Sequence, residues 1–281
     1  MKKRIEGMCF DEDGALHQLT RSTVVDCLFA GPSNGGFPLK AACDVLLDNC
    51  TFFQPCALWN AVDWRLHDSR IDENAQSALW YCENARITDS DIRGAKALWG
   101  SKDMVIHGCT IACAEFGWKC DRVSTADTKL TSDYLFLNSS NISLNHVQAK
   151  GASTFQYTEN MEVQNCFLNS TDSLWHSKNV TVTDSVIRGE RLGWFSENLT
   201  LVGCRIIGKQ PLCYCRNLVL INCSMEEAGQ AFEYSDVNAS IEGHVESIKN
   251  PRSGEIILDS VGRVIVGDAI MECSGRVIVR E

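Results

Sequence analysis

The chain is poor in the residues that interrupt a regular backbone, with only 5 prolines among its 281 residues. It also lacks any apolar run of the roughly 18 residues that a membrane-spanning helix requires. The first residues are basic, but from Ile5 onward polar and apolar residues alternate, so the apolar segment of a secretory signal is missing. A basic surplus is missing as well: 26 Lys and Arg stand against 36 Asp and Glu, for a net charge of −10 and a pI near 5.1. That balance repels phosphate backbones and anionic lipid surfaces, which excludes nucleic acid and membrane as expected partners. The expected address is cytoplasmic, where the 15 cysteines read as reduced thiols and not as a disulfide framework. Zinc-type spacing is absent too. Cys213-x-Cys215 is too close for a knuckle, and Cys109-x3-Cys113 has no second pair converging on it. No metal and no cofactor is therefore expected.

What the chain has instead is a period. NARITDSDIRG begins at Asn84, NMEVQNCFLNS at Asn160, NVTVTDSVIRG at Asn179, NLTLVGCRIIG at Asn198 and NLVLINCSMEE at Asn217. The starts at 84, 103, 122, 141, 160, 179, 198, 217 and 236 are nineteen apart, as are Asp44 and Asp63, while the coil from Asp63 runs to twenty-one and a weak first one from Arg21 to twenty-three. About eleven repeats thus cover residues 21–250, and residues 1–20 read as a degenerate coil. The first column of the repeat is Asn or Asp in nearly every coil. Apolar residues then alternate with polar ones, as in Leu199 and Leu201, which is strand periodicity. A turn former follows (Asn49, Asp68, Asn165, Asp184), then a compact residue (Cys50, Ser69, Cys166, Ser185).

Nineteen residues are too few for a helix-loop-helix or strand-helix unit, but they suit one coil of a parallel β-solenoid, in which like stacks on like at about 4.8 Å per coil. The first column becomes an Asn/Asp ladder bonded from coil to coil. N-x-S/T sequons such as Asn179-Val180-Thr181 are by-products of this ladder. A leucine-rich repeat is the rival, since Leu199-x-Leu201-x-x-Cys204-x-Ile206 matches its core, but that repeat is usually longer and needs a leucine where Ser196 stands. The expected fold is all-β: a single-stranded parallel β-helix of eleven to twelve coils over residues 1–250. Residues 251–281, where GRVIV at 262–266 recurs at 275–279, are expected to form C-terminal capping strands.

A second column carries Trp59, Trp80, Trp99, Trp118, Trp175 and Trp194. Small residues two positions later (Cys82, Ser101, Cys120, Ser177, Ser196) favour an interior aromatic stack, and an outward stripe is the open alternative. Under the interior reading, the preceding leucines (Leu58, Leu79, Leu98, Leu174) face out. So do the residues that follow the tryptophans, among them Lys119, Tyr157, His176, Phe195 and Tyr214. Outward rings at coil spacing would form a platform for flat apolar sugar faces.

FPLKAACDVLLDNCTF, SALWYCEN, ALWGSKD, LGWFSENLTLVGC, LCYCRNLVLINCSM and AFEYSDVNASIEGHVESIKNP together resemble the bacterial domain of unknown function 3737 family, over about residues 8–258. The resemblance implies a right-handed, pectin-lyase-like β-helix. It implies no activity, so no catalytic residue carries over. Pectin-lyase-like folds often host carbohydrate chemistry, yet fold does not dictate function. The NTD, DD, GHG and RIK motifs of polygalacturonase-type enzymes are absent, apart from Asp11-Glu12-Asp13 and an isolated His107-Gly108, and no Asp/Glu cluster suits the Ca²⁺ of a polysaccharide lyase.

Departures from a repeat are where chemistry is sought. Arg122 replaces the ladder Asn, next to Lys119 and Asp121. It either compensates Asp103 or Asp121, or binds an anion beside an Asp acid/base. Asp121, Arg122 and His176 are the catalytic candidates. Lys119, Tyr157, Phe195 and Tyr214 are the ligand-binding ones, on a surface spanning the coils from 103 to 197. Two functions are expected: a carbohydrate-active protein, glycoside hydrolase- or polysaccharide lyase-like, with an aromatic and charged groove, or a non-catalytic carbohydrate-binding or scaffold module. The partner is a carbohydrate or small anionic ligand, and self-association into a homo-oligomer is left open.

Overall fold

The computed structural model describes residues 3–31 and 36–281, and all regular secondary structure among them is β-strand. Residues 1–2 and 32–35, which the repeat count includes, lie outside the described residues. The fold is an all-β parallel solenoid of about 14 turns with coils of about 19 residues. It divides into two compact units, Met1–Ser143 and Leu144–Glu281.

In the first unit the strands Cys43–Asp48, Val62–His67, Glu83–Thr88, Lys102–His107 and Asp121–Ala126 stack in parallel, with Val45, Trp64, Ala85, Met104 and Val123 in one register column. Leu47, Leu66, Ile87 and Ile106 form the next inward column and are wholly buried. A separate row stacks Phe10 on Phe29 and Phe29 on Phe52, at centroid distances of 5.1 and 4.6 Å. The amino-terminal strand Lys3–Glu6 pairs in parallel with Thr20–Val25, so the degenerate first coil takes part in the stack. In the second unit Met161, Val180 and Leu199 share a register column.

The carboxyl-terminal segment leaves the nineteen-residue spacing but keeps the parallel pairing. Asp236 registers with Ser253, and Glu255 with Arg276. Strands Ser253–Ile265 and Arg276–Val279 therefore extend the stack, and the turn count exceeds the eleven or twelve read from the period. Backbone hydrogen bonds form this pairing, and they do not need the side-chain repeat.

The ladder residues sit in left-handed backbone, with φ of 55° at Asn160, 53° at Asn179, 55° at Asn198 and 51° at Asn217. Asn tolerates that region better than other non-glycine residues because its short amide bonds locally. Here the amides bond coil to coil: Asn179 donates to Asn160 at 3.1 Å, Asn198 to Asn179 at 2.8 Å and Asn217 to Asn198 at 2.8 Å. Asn198→Ala is expected to cost about 1–3 kcal/mol from lost ladder bonds and left-handed strain. Asn198→Gly, which relieves the strain, is expected to cost less, and urea unfolding of the two variants separates the terms.

The tryptophan segment corrects the alternation argument. The residues on either side of each tryptophan have positive φ, as at Leu58 (59°) and Asn60 (53°), or Leu174 (61°) and His176 (52°). Two left-handed residues turn the chain, and side chains no longer alternate across it. The leucines expected to face out are core: Leu58, Leu79, Leu98 and Leu174 are 0% exposed. Left-handed backbone costs about 1–2 kcal/mol at each of them, and burial of the side chain offsets it by about 1.5–3 kcal/mol. The tryptophans are half-buried at the rim of the coils, neither interior nor free. Trp59 stacks on Trp80 at 5.0 Å, and Trp99 and Trp118 follow at 5.3 and 5.1 Å with planes tilted by 34° and 35°; the Trp118 indole N–H donates to the Tyr134 carbonyl at 3.0 Å.

Candidate functional site

The charged candidates all fall in the first unit. Arg122 donates from Nε and Nη2 to the two carboxylate oxygens of Asp103, at 2.5 and 2.8 Å, and from Nη1 to Asp121. Asp121 also accepts from Asn141 at 2.6 Å and Ser140 at 2.9 Å. The guanidinium and its two carboxylates thus bond one another. The Asn141 amide, helped by Ser140 and Arg122, holds the Asp121 carboxyl below the usual range, and Arg122 does the same to Asp103. A carboxyl shifted in that direction is a poor proton donor near neutrality. The ammonium of Lys119 lies 5.7 Å from the centroid of the Trp99 ring, in cation–π range.

The aromatic candidates fall in the second unit and form a row. Tyr157 stacks on His176 at 4.9 Å with 6° between planes, His176 on Phe195 at 4.9 Å and 9°, and Phe195 on Tyr214 at 4.9 Å and 14°. Parallel rings at this spacing cover one another's faces. Tyr157 and Phe195 nevertheless keep 50% and 43% of their surface exposed. Each contact is worth about 0.5–1.5 kcal/mol in coil-to-coil cohesion.

A groove of about 420 Å³ lies over the outward face of Cys43–Asp48, Val62–His67, Glu83–Thr88 and Lys102–His107. Asp44, Asp63, Asn84 and Asp103 form one wall, since the ladder column turns outward there. The floor carries the next outward column, Leu46, Arg65, Arg86 and Val105, in continuous register. Asn84 donates to Asp63 at 2.5 Å, and Asp103 is engaged by Arg122. Arg65 and Arg86 are both exposed, and among the described residues neither makes an ion pair or side-chain hydrogen bond. Beyond this column His67 lies 3.0 Å from Thr88 Oγ1, and His107 is 3.1 Å from Asp127.

Among the described residues, no three His, Cys, Asp or Glu converge as metal ligands. Burial pushes the thiols of Cys82, Cys113, Cys120, Cys213 and Cys215 up to about 12, which removes them as nucleophiles.

The model of a family described as proteins of unknown function, DUF3737, matches residues 3–279. The chain belongs to the DUF3737 family. No curated protein matches it in sequence. In this DUF3737 member the groove arginines were not among the residues singled out from the sequence. Arg65 and Arg86 each stand two residues after a coil start, Asp63 and Asn84, so the repeat places them in one column despite the twenty-one-residue coil between them. Two consecutive cations in one outward column are the signal that finds them.

The depressed carboxyls of the DUF3737 chain set the sign of its acid response. Such a group contributes stability that is fully present above its ordinary value, 3.8 for Asp103 and Asp121, and lost as pH falls through the folded value. Arg122→Ala is therefore expected to lower Tm at neutral pH. The gap from the parent should narrow as pH falls from 3.8 through the lower folded values, where these carboxyls take up protons in the parent as well. Calorimetric scans across that range check this, and a gap that widens in acid would reverse the assignment.

Proposed function

We propose that the protein is a non-catalytic binding module that holds a hydroxyl-rich, carbohydrate-type ligand in the groove over Cys43–Asp48, Val62–His67, Glu83–Thr88 and Lys102–His107. The observation that carries this reading is the wall of Asp44, Asp63, Asn84 and Asp103. These four side chains repeat at one-coil intervals of about 4.8 Å, and their oxygens accept hydrogen bonds from a series of hydroxyls. Glycoside hydrolysis needs a carboxyl kept protonated as the acid, whereas Arg122 shifts Asp103 the other way.

Titration calorimetry against neutral and acidic mono- and oligosaccharides, with chromatography of the mixtures, tests the proposal. Saturable binding with no new product is the expected result. Turnover would make the protein carbohydrate-active, and absence of binding across the whole panel would remove the carbohydrate reading. Asp63→Ala is expected to weaken the best binder about tenfold, or about 1.4 kcal/mol, in protein whose circular dichroism matches the parent.

A further inference from the structure

We infer that Arg65 and Arg86 form an oxyanion anchor on the groove floor, so that the ligand is a hydroxylated anion: a sugar bearing a carboxylate or a phosphate. The inference rests on the groove being the binding site and adds the chemical class of what enters it.

Arg65 and Arg86 are direct register neighbours on adjacent parallel strands. Like charges placed opposite one another in a sheet destabilise it. Most other outward arginines meet a carboxylate, as where Arg191 grips Asp172 at 2.8 and 2.9 Å, Arg205 grips Glu226 at 2.7 and 2.8 Å, and Arg70 reaches Asp72 at 2.8 Å. Arg21, Arg216 and Arg263 are exposed without one among the described residues, but none of these is the register neighbour of another arginine. Arg65 and Arg86 have no such partner among the described residues. Asp63, on the adjacent wall, accepts the Asn84 amide, and Asp103 accepts Arg122. Within their own column the pair is bounded by Leu46 on one side and Val105 on the other, so neither register neighbour supplies a counter-charge.

The result is two adjacent guanidinium forks, uncompensated and facing a groove in a protein whose net charge is −10. Each fork presents donors in a planar array that matches a carboxylate or phosphate bidentately. One oxyanion between them would neutralise the like-charge contact that the chain itself leaves standing. The carboxylate wall repels a bare anion but accepts hydroxyl protons, and the two surfaces together select a molecule that carries both groups.

Four probes test this by titration calorimetry in low salt: glucose, glucuronate, glucose 6-phosphate and inorganic phosphate. Either acidic sugar is expected to bind at least tenfold more tightly than glucose. Preference for glucuronate identifies a carboxylate ligand, and preference for glucose 6-phosphate a phosphorylated one. In the Arg65→Ala/Arg86→Ala variant the acidic and neutral sugars should bind equally. Each single alanine variant without ligand should keep or raise Tm, because a repulsive contact is removed. Equal binding of glucose and both acids by the parent protein overturns the anchor and leaves the carbohydrate module standing. Arginine-dependent binding of inorganic phosphate, with no sugar bound, upholds the anchor and overturns the module. Acid preference that survives the double substitution, or a fall in Tm on each single one, overturns the anchor, since the arginines would then be structural.

Discussion

Truncation of Phe29 to alanine is expected to lower the unfolding free energy by about 3–5 kcal/mol. The side chain is 0% exposed and lies between Phe10 and Phe52, with centroids at 5.1 and 4.6 Å. Its removal opens a gap in the middle of a row, where neighbours on both sides are held by backbone pairing and have little freedom to collapse inward. In a solenoid each coil draws its stability from itself and its immediate neighbours. The loss should therefore appear as faster amide exchange over Lys3–Phe52 before it appears farther along the chain. Urea unfolding followed by tryptophan fluorescence, with hydrogen exchange, checks both the size and the location. A loss under about 1 kcal/mol would mean that the coil relaxes into the gap.

Gly94→Ala carries a comparable penalty from the opposite cause. Gly94 has φ of 131°, and a Cβ there would lie 2.2 Å from the Ala75 carbonyl oxygen and 3.1 Å from its carbonyl carbon. Backbone strain of about 1–3 kcal/mol combines with overpacking of about 1–3 kcal/mol, so a loss of about 2–6 kcal/mol is expected. Gly243 is the internal control: its φ is 82°, but nothing lies within 4 Å of an added Cβ. Gly243→Ala should show only the strain, and the difference between the two midpoints measures the clash. Equal losses would show that Gly94 is required for its dihedral alone.

Much of the fold could be read from the amino-acid order, because stacking like on like repeats the chemistry of each column. Leu199 and Leu201 alternate with polar residues and are buried, and Asn179, Asn198 and Asn217 recur at one spacing and are bonded. Trp59 was less legible. Leu58 is not a residue type that announces left-handed backbone, and once it adopts φ of 59° the rule that assigns faces by alternation ends there. GRVIV points to a strand around Ser253–Ile265 but not to its continuation of the parallel stack, since pairing with Asp236–Lys249 uses main-chain groups that any residue supplies.

The candidate site was legible as composition and not as geometry. The order of residues determined that Tyr157, His176, Phe195 and Tyr214 share a column, and that Arg122 interrupts a row of Asn and Asp. Coil length, stacking order and most of the core follow from the sequence, because they depend on which residue types recur. Only the tertiary structure decided that the rings meet face to face, that Arg122 is neutralised by Asp103 and Asp121, and that Arg65 and Arg86 are not neutralised. Ring planes and ion pairs are set by side-chain orientation between residues a whole coil apart, and a one-dimensional period carries the spacing of such residues without the direction in which they point.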